Sequence, residues 1–421
     1  MGMAQAQFVA GLDIGSASVR MVAGQVIEKN GGYVPQIIAA VETPSAGISK
    51  GVINSIEDAT ASISACLEKV ERMIGAPVTS TWVGISGGHI INEESKGVIA
   101  VSKPDGEIKE QDVERAIEAA RTVATPLNYE ILHVIPRSFT VDGQASIKNP
   151  VGMTGVRLEV DAQIIQGLSS QIKNLTKCVY RTGLDIEDLV LSILATTEAV
   201  ATKRQKELGV LVVNIGGATT SFAAFEEGDL LHSGTIPIGS DHITSDMAIG
   251  LRTSVDVAER VKREYGTALP RELTKKEEIN LSELGGEEEI VSHKYIAEII
   301  EARVEELYER LDKELKKIGR SGMLPAGVVL TGSGAKLRGL VEVAKNKLRL
   351  PATLGYPMGI VSAMDKVNDL SFAAATGLVI WGTEMQKWGG AKSGFGDLLN
   401  RVGQVSKVGS GFKKWFKSLM P

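Results

Sequence analysis

The sequence predicts an α/β fold of two related lobes with a small αβ module inserted into the first. Two observations predict it. Residues 10–23 (AGLDIGSASVRMVA) and 211–224 (LVVNIGGATTSFAA) are the same strand–turn–strand unit, 201 positions apart. At 421 residues the chain also exceeds what a single compact core holds, so two or more domains are expected.

Each unit is an apolar run, a polar residue (Asp13, Asn214), Ile-Gly, a turn of small residues and a second apolar run. Gly15 with Ser16, and Gly216 with Gly217, let the backbone approach a ligand closely. Successive N–H groups in such turns cradle phosphate oxygens. Two of them facing each other would grip a nucleotide between two domains.

Strands are predicted at 8–14, 18–27 and 34–41, a helix at 56–74 stopped by Gly75 and Pro77, and a strand at 81–86. The inserted module occupies 87–163: a strand near 97–102, a helix near 110–122, and strands near 130–141 and 156–165. A helix from 168, a strand at 186–193 and a helix at 195–207 lead into the second glycine unit. Beyond Ile238 come helices at 241–251 and 254–265, a polar stretch at 267–291 with short strands, and a charged helix at 293–318. Its alternating charges suggest a solvated face. Gly327–Leu340 reads strand, glycine turn, helix, and 369–386 a last helix of small residues.

Composition excludes several classes. A net charge of −5 gives no reason to expect nucleic acid. Cys66 and Cys178 are too few for a disulfide framework or a cysteine metal site, which suits a reducing cytosol. No signal peptide and no stretch of 18 consecutive apolar residues is recognisable, so no span is expected. The histidines (His89, His133, His232, His242, His293) are dispersed, with no Ser-His-Asp arrangement or metal-ligand spacing.

The chemistry is sought where the motifs lie. Asp13 ends the first strand beside a phosphate turn, where a carboxylate can hold Mg²⁺ through water. An Asp that merely starts a turn is the alternative, and the duplication favours the first reading. The third glycine turn, Gly332, Ser333 and Gly334, would let a base or ribose lie against backbone. Glu259, Lys262 and Arg263 share a helix face. They are either ribose and base contacts or a surface salt bridge worth under about 1 kcal/mol, and both readings stay open.

Residues 391–421 carry a net charge of +5, against −10 for the preceding 390. Phe412, Trp415, Phe416, Leu419 and Met420 form one apolar helical stripe, with Lys413, Lys414 and Lys417 around it. Behind glycines 389, 390, 394, 409 and 411, this predicts a helix lying in a membrane interface, the alternative being a helix docked on its own domain. Partial burial of the five side chains, at up to roughly 1.5–3 kcal/mol each, is opposed by about 1 kcal/mol per ordered residue. One tail therefore holds weakly, and many tails joined in a polymer hold by avidity. Residues 395–405 have similar spacing and are a second, poorer membrane helix or coil.

The order phosphate hairpin, phosphate hairpin, adenosine turn, small-residue helix resembles the superfamily of actin, sugar kinases and heat-shock chaperones. Within it, IKNPVGMTGVRLEVDAQII at 147–165, after LHVIPRSFTVDG at 132–143, is similar to the bacterial cell-division FtsA family. The resemblance implies an actin-like two-lobed fold with duplicated ribonuclease-H-like domains. It divides the chain into domain IA at 1–86, 166–200 and 369–388, an inserted subdomain IC at 87–165, and domain IIA at 201–233 and 306–368. Subdomain IIB follows at 234–305, a linker at 389–408 and a membrane-targeting helix at 409–421.

Carried over by position, Asp13, Gly15, Ser16 and Ala17 resemble the first phosphate loop, and Asn214, Gly216, Gly217, Ala218 and Thr219 the second. Gly239 resembles a residue whose backbone meets phosphate, Glu259 and Lys262 the ribose contacts, and Gly332 to Lys336 the adenosine loop. The superfamily commonly has Asp at Asn214; a neutral amide adds no charge to Mg²⁺ and is no base. Glu198 could orient a water or simply pair on its helix. The resemblance thus implies ATP and Mg²⁺ as ligands, hydrolysis that is slow at most, and self-assembly on the cytoplasmic face of the inner membrane at the septum. It also implies anionic lipid beneath the tail, the FtsZ tail docking near 234–305 with Arg303 a candidate contact, and later division proteins meeting the insertion. A PilM-like pilus adaptor or a small-molecule kinase on the same fold are the competing functions.

Overall fold

The computed structural model describes residues 8–29, 32–101, 106–122, 126–274 and 277–387. The first lobe opens with the antiparallel meander β1 (Phe8–Ile14), β2 (Ser18–Lys29) and β3 (Gly32–Pro44). A two-residue ribbon follows, β4 (Ile48–Ser49) with β5 (Val52–Ile53), then helix α1 (Ile56–Ile74) and strand β6 (Ser80–Ile85). Local chemistry sets the bounds of α1. The Ser55 hydroxyl accepts from the Asp58 N–H, a cap worth about 1 kcal/mol, and Gly75 ends the helix at φ 74°.

The insertion is a four-stranded antiparallel sheet with one helix: β7 (Ile90–Ala100), α2 (Glu110–Arg121), β8 (Tyr129–Val141), β9 (Gln144–Ile147) and β10 (Arg157–Leu168), in the order β7-β10-β8-β9. Strand β7 starts well before the predicted 97, and β9 was not predicted. Helix α3 (Ser169–Tyr180), β11 (Asp185–Leu191), α4 (Ser192–Val200) and α5 (Lys203–Leu208) then lead to the second lobe. The single helix expected at 195–207 is two. Ala201 is extended (φ −121°, ψ 133°), and Thr202 with Gln205 forms a capping box that starts a new helix.

The second lobe comprises β12 (Val210–Ile215), β13 (Thr220–Glu226), β14 (Asp229–Ile236), α6 (Ser240–Gly250), α7 (Val255–Tyr265), β15 (Glu278–Asn280), β16 (Ile290–Ser292), α8 (His293–Lys317), β17 (Val328–Thr331), α9 (Leu340–Leu348) and β18 (Ala352–Leu354). Helix α8 has a solvated side, as expected, but also buries a full stripe from Ile296 to Leu315. The chain then returns to the first lobe with β19 (Val361–Ser362) and α10 (Ala373–Lys387).

The duplication extends beyond the hairpins. The first sheet runs β11-β6-β1-β2-β3-β19 and the second β18-β17-β12-β13-β14. In both, a three-stranded antiparallel meander is extended by two parallel strands. Helices α4 and α10 cross between the sheets, α10 against the first and α4 against the second. A Cβ on Gly377 would overlap the Ala195 backbone, so glycine sets how closely these helices approach. Their apolar faces join Val9, Val22 and Trp82 of one lobe to Val210, Val212 and Phe225 of the other in one core. Separate cores lie under each sheet's outer face and inside the insertion.

Among the described residues no helix is long and apolar enough to cross a membrane. The predicted linker at 389–408 and the tail residues Phe412 to Met420 lie outside the described residues.

Candidate functional site

The two glycine turns match in register and in the hydrogen bond that closes them. Asp13 pairs with Arg20 and Ile14 with Val19 across the first hairpin; Asn214 pairs with Ser221 and Ile215 with Thr220 across the second. Each turn is closed by the same hydrogen bond, from the Gly15 N–H to the Ser18 carbonyl (3.1 Å) and from the Gly216 N–H to the Thr219 carbonyl (2.9 Å). The turns face each other: a Cβ built on Gly217 would lie 2.9 Å from the Ala17 methyl.

Behind them opens a cleft of about 650 Å³, partly continuous with solvent. Asp13, Gly15, Ser16 and Ala17 line it from the first lobe, and Asn214, Gly216, Gly217, Ala218 and Thr219 from the second. The third turn closes one end through Gly332 and Ser333. Gly332 adopts φ 89° and packs against the Asn214 carboxamide and the Ile215 carbonyl, where a side chain has neither the conformation nor the room.

Other expected residues lie off the cleft wall. Gly334 faces the Ile215 side chain, and Lys336 pairs with Asp369 at 2.7 Å. Gly239 caps α6, whose first free amides are used internally: the Ser240 N–H donates to Gly216 O (2.9 Å) and the Asp241 N–H to Gly217 O (2.8 Å). Glu259 and Lys262 form a salt bridge at 2.6 Å, and both also bond the Thr244 hydroxyl at 2.6 Å. Lys262 is only 9% exposed, so this pair is more than a surface salt bridge; it clamps α7 to α6. Glu198 bonds Lys206 at 2.7 Å and does not line the cleft, whereas Ser192 of the same helix does. Arg303 grips Asp246 through Nε and Nη2 (2.5 and 2.8 Å) and also pairs with Glu306.

Sequence reasoning passed over Arg20. It is 8% exposed, lines the cleft and donates to Ser18 Oγ (3.0 Å) and Glu42 (2.7 Å). A cation within the apolar run VRMVA was the available signal. Ser192, Ser221 and Ser371 also line the cleft. Arg20 Nε and Ser192 Oγ are buried without a hydrogen-bond partner in the protein. Orphaned donors beside a cleft are what an anionic, oxygen-rich ligand would satisfy.

The charges are asymmetric. Burial pushes the Asp13 carboxyl above its ordinary range, and Arg20 only partly offsets this. Burial also pulls Glu42 upward, but Arg20 and Ser18 outweigh it and hold that carboxyl below its usual value. The equivalent positions of the second hairpin, Asn214 and Ser221, are neutral. Among the described residues no group of three or more His, Cys, Asp or Glu converges on a point. A cation here would therefore rest on Asp13, water and the ligand's own oxygens.

The sequence model described as "Cell division protein FtsA" matches residues 211–377, and "SHS2 domain inserted in FTSA" matches 87–166. The chain is 34% identical over 410 residues to cell division protein FtsA of Pseudomonas aeruginosa, covering 97% of each. It is 36% identical over 385 residues to that of Bacillus subtilis (91% of this chain, 85% of the other). The Escherichia coli K12 protein gives 32% over 416 residues (97% and 96%). Among solved structures, the PilM–PilN type IV pilus biogenesis complex superposes with a TM-score of 0.66 at 18% identity, over 90% of this chain and 100% of that one. MreB5 of Spiroplasma citri bound to ADP gives 0.52 at 14%, over 90% and 98%. The fold is thus actin-like, as expected, and the match at 87–166 coincides with the inserted sheet. With relatives aligned end to end above 30% identity, the chain belongs to the FtsA family of cell-division proteins.

Proposed function

We propose that the cleft binds ATP with Mg²⁺, and that the protein self-assembles on the cytoplasmic face of the inner membrane as a tether for FtsZ. The observation that carries the nucleotide reading is the opposition of two equivalent glycine turns, with Ala17 and Gly217 in contact. Backbone N–H groups of both turns would hold phosphate oxygens, and Arg20 adds a fixed cation with a spare donor. Asp13 would hold Mg²⁺, which when bound neutralises phosphate charge. The Asp13 carboxyl, raised by burial, ionises more readily beside that ion. The base would lie toward Gly332 and Ser333, and the Glu259–Lys262 pair, off the cleft wall, would support the ribose end by clamping α7 to α6. Hydrolysis is slow at most, because Asn214 cannot act as a base and Glu198 is held by Lys206.

FtsZ's tail docks on the region 234–305, later division proteins meet the insertion, and the helix from Phe412 to Met420 lies in anionic lipid at the septum. One weak anchor per subunit makes membrane attachment depend on assembly. Liposome co-sedimentation with FtsZ tests the tether, comparing the full chain with one ending at Gly389. The full chain is expected to carry FtsZ down with the vesicles and the truncated chain to leave it in solution. Recruitment that survives truncation removes the tether role.

A further inference from the structure

We propose that the inserted subdomain is a strap laid across the seam between the lobes, so that it moves with the second lobe and reports whether the cleft is closed. By chain connection it belongs to the first lobe, which it leaves after β6 and rejoins at α3. Its side chains, however, hold the outer strand of the second. Asn92 of β7 donates to the Ser233 carbonyl and to Ser233 Oγ, the latter at 3.0 Å. Gln163 of β10, 3% exposed, donates to the Leu231 carbonyl at 3.1 Å. Lys148 pairs with Asp229 and donates to the Glu227 carbonyl at 3.2 Å. Asp229, Leu231 and Ser233, alternate residues of β14, are thus each held by the insertion.

The sheet face that carries Asn92 also touches the first lobe. His133 of β8 is the register partner of Ile165, which in turn pairs with Asn92. Its Nε2 accepts from the Leu191 N–H at 3.0 Å, one residue before α4 enters the cleft wall with Ser192. One sheet face therefore holds the strand end that aims Ser192 and the edge strand of the opposite lobe.

The entry connection from the first lobe is built to bend. There stand Gly87 (φ 135°) and Gly88, which has nothing within 4 Å of a built Cβ, whereas the return connection at Gly167 is held within β10 between Ile90 and Glu130. The attachment to β14 is made instead by three hydrogen bonds and an ion pair, with a fourth hydrogen bond to Glu227 just before it. Bending at Gly87 and Gly88, rather than stripping this set, lets the insertion follow the second lobe when the lobes separate. Lys148 lies within the segment 147–165 that marks the chain so distinctly, yet it does not line the cleft. Holding β14 gives that segment a physical task.

The inference rests on the nucleotide reading of the cleft, and the experiment separates the two. Spin labels are placed pairwise in the full chain at exposed Lys96 (insertion), Met73 (first lobe) and Lys317 (second lobe); Cys66 and Cys178 are buried. Distances are measured with and without ATP·Mg²⁺, alongside an ATP titration. In the wild type the Lys96–Met73 distance is expected to change with nucleotide and the Lys96–Lys317 distance to stay fixed. In Asn92→Ala with Lys148→Ala the pattern is expected to reverse, and ATP affinity to fall about threefold to tenfold as the closed state loses its clasp. The charge exchange Lys148→Asp with Asp229→Lys is expected to restore part of the wild-type pattern. ATP binding with a fixed Lys96–Met73 distance overturns the strap and leaves the nucleotide reading standing. No ATP binding in the wild type overturns the nucleotide reading, and the strap with it.

Discussion

The Ala17 methyl and the Gly217 Cα, carried by turns from opposite lobes, are so close that a Cβ added to Gly217 would stand 2.9 Å from the methyl and 2.9 Å from the Asp241 carboxylate. Closure of the cleft is therefore set by the absence of one side chain. Gly217→Val is expected to wedge the turns apart and weaken ATP binding at least tenfold, with a small change in unfolding midpoint because neither turn is in a core. A paired ATP titration and thermal melt checks this. Unchanged affinity would show that the turns need not meet.

Arg20 joins stability and ligand binding. Arg20→Met leaves half-buried Glu42 without its cation, which is expected to cost about 1–3 kcal/mol in denaturant unfolding. The same change is expected to weaken ATP binding at least tenfold, while Arg20→Lys recovers part of both, since it keeps the charge but not the fork. A variant that loses stability and keeps full affinity would confine Arg20 to a packing role.

Asp13 has its folded pKa raised by burial, only partly offset by Arg20. A carboxyl shifted this way favours the folded state when protonated. Its stabilising share is complete below the unfolded value of 3.8 and is lost as pH rises through the folded pKa. Asp13→Asn is thus expected to unfold at higher denaturant than wild type at neutral pH, the gain shrinking toward pH 4, and to lose the Mg²⁺ dependence of nucleotide binding. Denaturation at a series of pH values, with titrations at varied Mg²⁺, reads both effects.

His133 runs the opposite way. Burial pushes its imidazole down to about 4, so the folded chain holds it neutral while the unfolded chain protonates near 6.5. Stability is expected to fall as pH drops between those values, with His133 contributing on the order of 2 kcal/mol once its partial exposure is allowed for. His133→Gln, which retains an acceptor for the Leu191 N–H, is expected to flatten that slope. An equally steep slope in the variant would assign the acid sensitivity elsewhere.

Sequence legibility followed the range of the interaction. The hairpins at 10–23 and 211–224 were readable because each is local and the second repeats the first, so the meeting of Asp13, Gly15, Asn214 and Gly216 could be anticipated. The limits of α1 were readable because Gly75 and Pro77 act within their own turn. Arg20 was missed because a buried cation looks like an interruption of a strand until its partner, Glu42 on the next strand, is known. For Glu198 the sequence left two readings open, because its partner Lys206, eight positions on, returns to it only after the chain breaks at Ala201. Lys148 and Asp229 are 81 residues apart, and no local pattern links them.

The central claim is that both glycine turns hold one nucleotide at the same time. Hydrogen exchange of the amides at 14–18 and 215–219, with and without saturating ATP·Mg²⁺, tests it most directly. Slower exchange at both turns together is the expected result. Slowing at one turn alone, or at neither, would contradict it.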